Sequence, residues 1–177
     1  ARSFTDFPMQ VILSKNGDQL VSGRFLRASD FDNNMGEDNN PEWKTIVFDS
    51  KSQSFVVPNG SVGFRWGEEG KWNILEQANG SEIEAELSCI EGKDVVVDVT
   101  FPHFNPEDGD TLVRKIPARS LKLASGEEVM VTSVFDLQVA QYGVDRGLGD
   151  NLATSYDDAT VPYTPAWAAK VTGVPAA

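Results

Sequence analysis

His103 and Cys89 are the only imidazole and the only thiol in this chain of 177 residues. A zinc site in its usual form needs four nitrogen or sulfur ligands, and an iron–sulfur cluster needs about four thiolate or imidazole ligands. Two such groups complete neither. A Ser/His/Asp triad is open by arithmetic alone, but no nucleophile-elbow sequence presents a serine for attack. A G-x-G-x-x-G run and a P-loop are also absent. Asp30, Asp32 and Asn34 begin like a calcium loop, with oxygen ligands at alternate positions. The register then fails, because Met35 stands where the loop requires glycine, Gly36 comes one residue late, and Pro41 occupies the place of the twelfth-position glutamate. These residues read as a plain polar loop. Asp157 and Asp158 are paired carboxylates, yet neighbours on an extended chain point apart, so turn or cap roles suit them better than acid/base work.

Two clusters offer binding rather than catalysis. Trp66 and Trp72, with Arg65 and Lys71 beside them, have the makings of a stacking surface for sugars or bases, which Trp43 and Trp167 could extend. Large aromatics more often anchor a core or an interface. Arg114, Lys115, Arg119 and Lys122 form a local basic cluster that could meet an anionic surface; two of them alternate along a strand, which favours a solvated sheet face. On these grounds no catalytic, cofactor-binding or metal-ligating residue is assigned.

The elements around these residues read as mainly β (α+β): an antiparallel, hairpin-rich sheet with a short helical C-terminal part. Residues 9–14 and 19–26 are β-like runs joined through Asn16-Gly17, the strongest short hairpin signal. Further strands are predicted at 45–48, 54–57, 62–66, 83–90, 95–101, 112–116, 121–123 and 128–132, with turns at Pro58-Asn59-Gly60 and Ala78-Asn79-Gly80. The polar run 27–41 and the proline-broken run 101–110 read as loops. From Ser133, an N-cap candidate, a mostly buried helix starts at Val134, with Asp136 in its first turn and Gln138, Gln141 and Asp145 on a narrow polar face. Gly143 and Gly147 stop it. A helix of about two turns follows, with Thr164 at its N-cap, Pro165 at its first position and Gly173 at its end. Residues 1–133 thus form a β-rich module and 134–177 a helical end.

With 40% hydrophobic residues the chain can bury one core of domain size. Its net charge of −12 and pI of about 4.4 repel phosphate backbones and anionic lipid, which argues against nucleic-acid or membrane-surface binding. No apolar run approaches the roughly 18 residues that a membrane span needs. The opening ARSFTDFPM lacks the charged and apolar regions of a signal peptide and an initiator methionine, and TGVPAA ends the chain abruptly, as expected of an excised or processed segment. A single cysteine fits a reducing compartment.

Several stretches together resemble the catalytic alpha subunit of membrane-bound respiratory nitrate reductase, of the molybdopterin oxidoreductase superfamily. They are FTDFPM at 4–9, GRFLRASD at 23–30, NNPEWKT at 39–45, PNGSVGFRWGEEGKWN at 58–73, FPHF at 101–104, YGVDRGL at 142–148, ATSYDD at 153–158 and YTPAWAAKVTGVP at 163–175. Between 81 and 123 the match is loose. The resemblance implies an internal segment of a much longer chain, inactive alone, that inserts in a cofactor-binding α/β domain and rejoins it through residues 134–177. It implies a parent enzyme that binds bis-molybdopterin guanine dinucleotide and a 4Fe-4S cluster outside this segment. That parent reduces nitrate to nitrite with electrons from quinol, passed through an iron–sulfur beta subunit and a membrane gamma subunit at the cytoplasmic face of the membrane. No position here matches the family's cluster ligands or molybdenum ligand. The residues alone leave open a free-standing carbohydrate- or protein-binding module, and also the same segment of a related enzyme of the superfamily acting on another oxyanion, such as chlorate, perchlorate or selenate, because the substrate pocket is made elsewhere.

Overall fold

A computed structural model describes residues 6–58, 61–64, 73–103, 109–150, 152–153 and 155–175, with the backbone alone at 61–64 and 73–75. The Asn-Gly hairpin forms as its residues dictate. Strands β1 (Gln10–Asn16) and β2 (Gln19–Phe25) pair antiparallel up to Asn16 and Gln19, and Gly17 takes the positive φ of 62° that such a turn needs. The pairing slips between Val11 and Leu13. Gly23 stands at that slip, where a Cβ would lie 2.5 Å from the Ile12 carbonyl and 2.1 Å from Ser14 Oγ. Only glycine allows so close a backbone approach.

Strands β3 (Val47–Asp49) and β4 (Ser54–Val56) make a hairpin, and β5 (Ser61–Phe64), β6 (Asn73–Ala78) and β7 (Ser81–Glu82) a small antiparallel sheet. The rest of the β structure is β8 (Val95–Pro102), β9 (Thr111–Lys122) and β10 (Glu128–Ser133). With the first hairpin these close a barrel in the order β1-β10-β9-β8-β2. Its neighbours are antiparallel except at the closing seam, where β2 meets β8 in parallel at Leu20 and Val99. Closure leaves the barrel no open edge to template another strand.

Alternation then sorts the side chains. Val99 and Phe101 of β8, Ile116 and Ala118 of β9, and Val11 and Leu13 of β1 share one cluster, joined by Leu20 of β2 and Met130 of β10. Every barrel strand contributes to it, so this cluster is the barrel's filling. The opposite faces, through Ile12, Val129 and Val131, pack on Leu26, Ala28 and Ile46 from the segment after β2. A fully buried side chain such as Ile116 contributes about 1.5–3 kcal/mol, a large share of a net stability of roughly 5–15 kcal/mol.

The mainly β, hairpin-rich fold class is what the structure shows. Individual elements depart from expectation. No regular strand occupies 83–90; only Ala85 bridges to Asp49, and Asp136 claims the backbone around Cys89 instead. Residues 112–116 and 121–123 are not separate strands but one strand, β9, with Pro117 inside it opposite Val96. Strand β6 carried no β signal strong enough to single out. The 27–41 loop holds a turn of 3-10 helix at Ala28–Asp30, a left-handed turn through Asn33, Asn34 and Met35 at φ of 51°, 48° and 55°, and the start of a second 3-10 turn, Pro41–Trp43.

Both helices start where their caps place them. In α1 (Val134–Gln141) Ser133 Oγ accepts from the Asp136 N–H at 3.0 Å. Leu137 and Ala140 join the barrel filling. The buried face is narrower than expected: Tyr142 and Val144 are 60% and 50% exposed because the helix ends before them. In α2 (Pro165–Thr172) Thr164 Oγ1 accepts from the Trp167 N–H at 3.0 Å, and Gly173 closes the end at φ 73°. No residue of α2 is buried; the Trp167 ring meets those of His103 and Tyr163 at centroid distances of 6.0 and 5.5 Å, and the Ala166 N–H donates to the Tyr156 carbonyl at 3.2 Å. Two turns of helix have little stability of their own. In this chain by itself, amides 166–172 are therefore expected to exchange early and those of β9 late, as read by hydrogen exchange; equal protection of the two contradicts so weak a docking.

Candidate functional site

Among the described residues a polar assembly from several chain segments surrounds Asp136, which is fully buried. Its Oδ2 accepts from the Cys89 N–H at 2.9 Å and from Ser133 Oγ at 2.9 Å, and its Oδ1 from Ser88 Oγ at 2.5 Å. Arg146 adds an ion pair to Oδ1. These donors come from the segment before β8, the end of β10 and the turn after α1. Beside them, Cys89 Sγ and Thr132 Oγ1 both donate to the Pro117 carbonyl, at 2.9 and 2.8 Å. Burial, reinforced by the neighbouring Asp136 charge, pushes the Cys89 thiol up to about 12. A thiol held neutral in this way is a packing group and not a nucleophile. The arrangement joins chain segments, and nothing in it is left free to meet a substrate.

At the far end of β8, His103 Nδ1 pairs with Asp110 Oδ2 at 2.8 Å, and its ring meets Tyr163 edge-on at 5.9 Å. A cavity of about 510 Å³ opens next to this cluster between the turn after α1 and the approach to α2, lined by Tyr142, Gly143, Ser155, Tyr156, Asp157 and Tyr163. Burial raises the Tyr163 phenol's pKa; the positive charge of Arg114 opposes this and the negative charge of Asp110 assists it.

The remaining sequence candidates are dispersed. Arg24 donates to both Asp30 oxygens at 2.7 and 2.6 Å, and the Arg27 N–H donates at 2.8 Å, so guanidinium and backbone donors occupy the carboxylate that would have opened a calcium loop. Among the described residues no group of three or more His, Cys, Asp or Glu is placed to hold a metal ion. Asp158 Oδ1 accepts from the Thr160 N–H and hydroxyl at 2.9 and 2.6 Å, which is a turn role. Arg65, Trp66, Lys71 and Trp72 lie outside the described residues; Trp43 is 77% exposed. The basic cluster is not the solvated face expected of it. Arg114 and Arg119 are each only 7% exposed and sit on opposite faces of β9. Arg119 lies over the Phe48 ring at 4.0 Å and pairs with Glu86.

Sequence reasoning caught half of the Asp136 assembly. The three-residue spacing from Ser133 to Asp136 is a capping signal, whereas Ser88 and Arg146 carry no local sign of their pairing. Asp49 was missed altogether. It is 3% exposed, with Oδ1 accepting from the Glu84 N–H at 2.7 Å and Oδ2 from Ser52 Oγ at 2.6 Å.

No family model matches the chain. Among curated proteins it is similar to the respiratory nitrate reductase 1 alpha chain of Escherichia coli, with 47% identity over 185 residues that cover 98% of this chain and 15% of that protein. The nitrate reductase alpha chain of Bacillus subtilis is 40% identical over 176 residues, covering 98% and 14%. The respiratory nitrate reductase alpha chain of a Bradyrhizobium species is 38% identical over 175 residues, covering 98% and 16%. The chain therefore spans only about 15% of the length of the curated relatives it matches. No helix among the described residues is long and apolar enough to cross a membrane.

Asp49 makes stability depend on pH. Burial alone would raise its pKa, but the hydrogen bonds from Ser52, Glu84 and Lys51 outweigh it and hold the carboxyl below the usual 3.8. The stabilisation is therefore complete above the unfolded-state value and is lost as pH falls through the folded-state value. Acid unfolding of Asp49→Asn is expected to depend less steeply on pH below about 4 than that of the unmodified chain; identical slopes contradict the assignment.

Proposed function

Because the chain is homologous over nearly its whole length to one segment of the nitrate reductase alpha chains, we propose that it is the corresponding segment of a catalytic alpha subunit that reduces nitrate to nitrite, contributing structure and not chemistry. The observation that carries this reading is the pairing of that homology with the commitments of the chain's own reactive groups. Cys89 is buried and protonated, the Asp136 carboxylate is spent on four donors, and the Asp30 carboxylate is spent on Arg24 and the Arg27 N–H.

The parent enzyme's bis-molybdopterin guanine dinucleotide and 4Fe-4S cluster belong to other parts of its chain. The donor set here does not fit either metal group: the lone thiol is held by the Pro117 carbonyl, and the lone imidazole pairs with Asp110 through Nδ1. No reaction step runs through this segment. In the same reading, residues 134–177 rejoin the parent's cofactor-binding domain. The iron–sulfur beta subunit and the membrane gamma subunit are partners of the whole complex, which sits at the cytoplasmic face of the membrane. The acidic surface gives an anion such as nitrate no attraction, so steering is not among its roles.

A chimera tests this. When this chain replaces its counterpart in the Escherichia coli alpha chain, the assembled enzyme is expected to reduce nitrate at close to the parent rate per molybdenum atom. A chimera that assembles with its full metal content yet has lost nitrate reduction contradicts the reading, because the segment would then carry substrate chemistry of its own.

A further inference from the structure

Exposed apolar side chains gather at one end of the molecule. Tyr142, Val144, Tyr156, Val171 and Val174 are 50–82% exposed, and all follow α1. Among the described residues before them, just Trp43 and Val113 are large apolar side chains as exposed. Single exposed apolar residues need no explanation, whereas a contiguous group marks an interaction surface. Two observations make this group contiguous. Tyr142 and Tyr156 line the same cavity of about 510 Å³, together with Pro162 and Tyr163. The Tyr163 ring in turn meets Trp167 of α2 at 5.5 Å, and Val171, one turn further along, shares the Trp167 face of that helix. The apolar face of α2 therefore starts against the cavity wall and runs out into solvent.

The cavity is preformed on one side. Tyr163 holds φ at 71°, a left-handed conformation that is costly for a bulky side chain. Its ring is kept there by those of His103 and Trp167. The lining is also out of character for the surface of this chain. The molecule carries a net charge of −12, yet Asp157, itself exposed, is the one charged residue among those that line the cavity.

We propose that this surface, from Tyr142 across the cavity to Val171, is where another part of the same alpha chain packs, with an apolar side chain of that part seated between Tyr142 and Tyr156. This rests on the nitrate reductase reading and adds to it the surface through which the segment is held. The occupant follows from the size of the parent and the state of α2. The chain spans about 15% of the length of its relatives, so most of an alpha chain lies outside it. Helix α2 buries none of its residues here, and two turns of helix need tertiary cover to persist. Cover from the same polypeptide is in place before any partner subunit binds, and a permanent contact of that kind is as apolar as a domain core cut in half.

The test uses the full-length chimera, in which this chain replaces its counterpart in the Escherichia coli alpha chain, purified without partner subunits. Hydroxyl-radical oxidation of Tyr142 and Tyr156 is read by mass spectrometry, each relative to its rate in the urea-unfolded protein. Both tyrosines are expected to oxidise many-fold more slowly in the folded alpha chain, and to be slowed little in the 177-residue chain, where they stand exposed. Tyr156→Ser is expected to reduce the yield of folded alpha chain while leaving the thermal midpoint of the 177-residue chain unchanged, because a ring 82% exposed contributes little to that fold. The proposal is overturned if the two tyrosines oxidise as fast in the folded alpha chain as in the 177-residue chain, or if Tyr156→Ser leaves the yield of alpha chain intact. It is equally overturned if the tyrosines slow only once the partner subunits are added, which gives the surface to a partner. Failure of the nitrate reductase reading shows differently, as nitrate reduction lost from a chimera with full metal content, whatever the tyrosines do.

Discussion

A carboxylate with no exposure at all must be met by donors or not be charged, and at Asp136 that requirement organises the molecule. Ser133 supplies a hydroxyl from the end of β10, Ser88 and the Cys89 N–H come from the irregular segment before β8, and Arg146 returns from beyond α1. The four donors come from three stretches of chain, so the carboxylate fixes how those stretches meet. Burying an ion pair gains little over an apolar contact of equal size, but breaking one by removing a single partner costs about 3–5 kcal/mol. The assembly therefore specifies one arrangement of the chain more than it strengthens the fold.

The barrel gives that arrangement its frame. Five strands surround one apolar filling, α1 seals it with Leu137 and Ala140, and the Asp136 carboxylate pins the joint between β10 and α1. Beyond that joint the packing thins. Helix α2 buries none of its residues, Val171 and Val174 stand exposed, and Tyr156 is 82% exposed. A rigid barrel with a lightly docked C-terminal helix suits a segment that carries other parts of a larger enzyme.

Local signals were the legible ones. Asn16-Gly17, Ser133 and the Thr164-Pro165 start each determine a backbone conformation within four residues, and each appears where the sequence puts it. Long-range pairings were not legible. The parallel seam of Leu20 with Val99, which closes the barrel, joins strands almost eighty residues apart and leaves no periodic trace. Strand β9 runs on through Pro117 although proline cannot donate to a ladder, and the Pro117 carbonyl accepts from Cys89 and Thr132, residues distant in sequence. Arg114 and Arg119 looked like one basic face because charge was read without burial, and burial is set by partners that lie elsewhere in the chain.

The most direct measurement is the effect of Asp136→Ala, carried within a full-length nitrate reductase alpha chain, on nitrite formed per molybdenum atom and on the amount of assembled enzyme. A structural segment held together at Asp136 predicts much less assembled enzyme with unchanged turnover per molybdenum atom. Normal assembly with turnover lost would contradict it, and would place Asp136 in the chemistry.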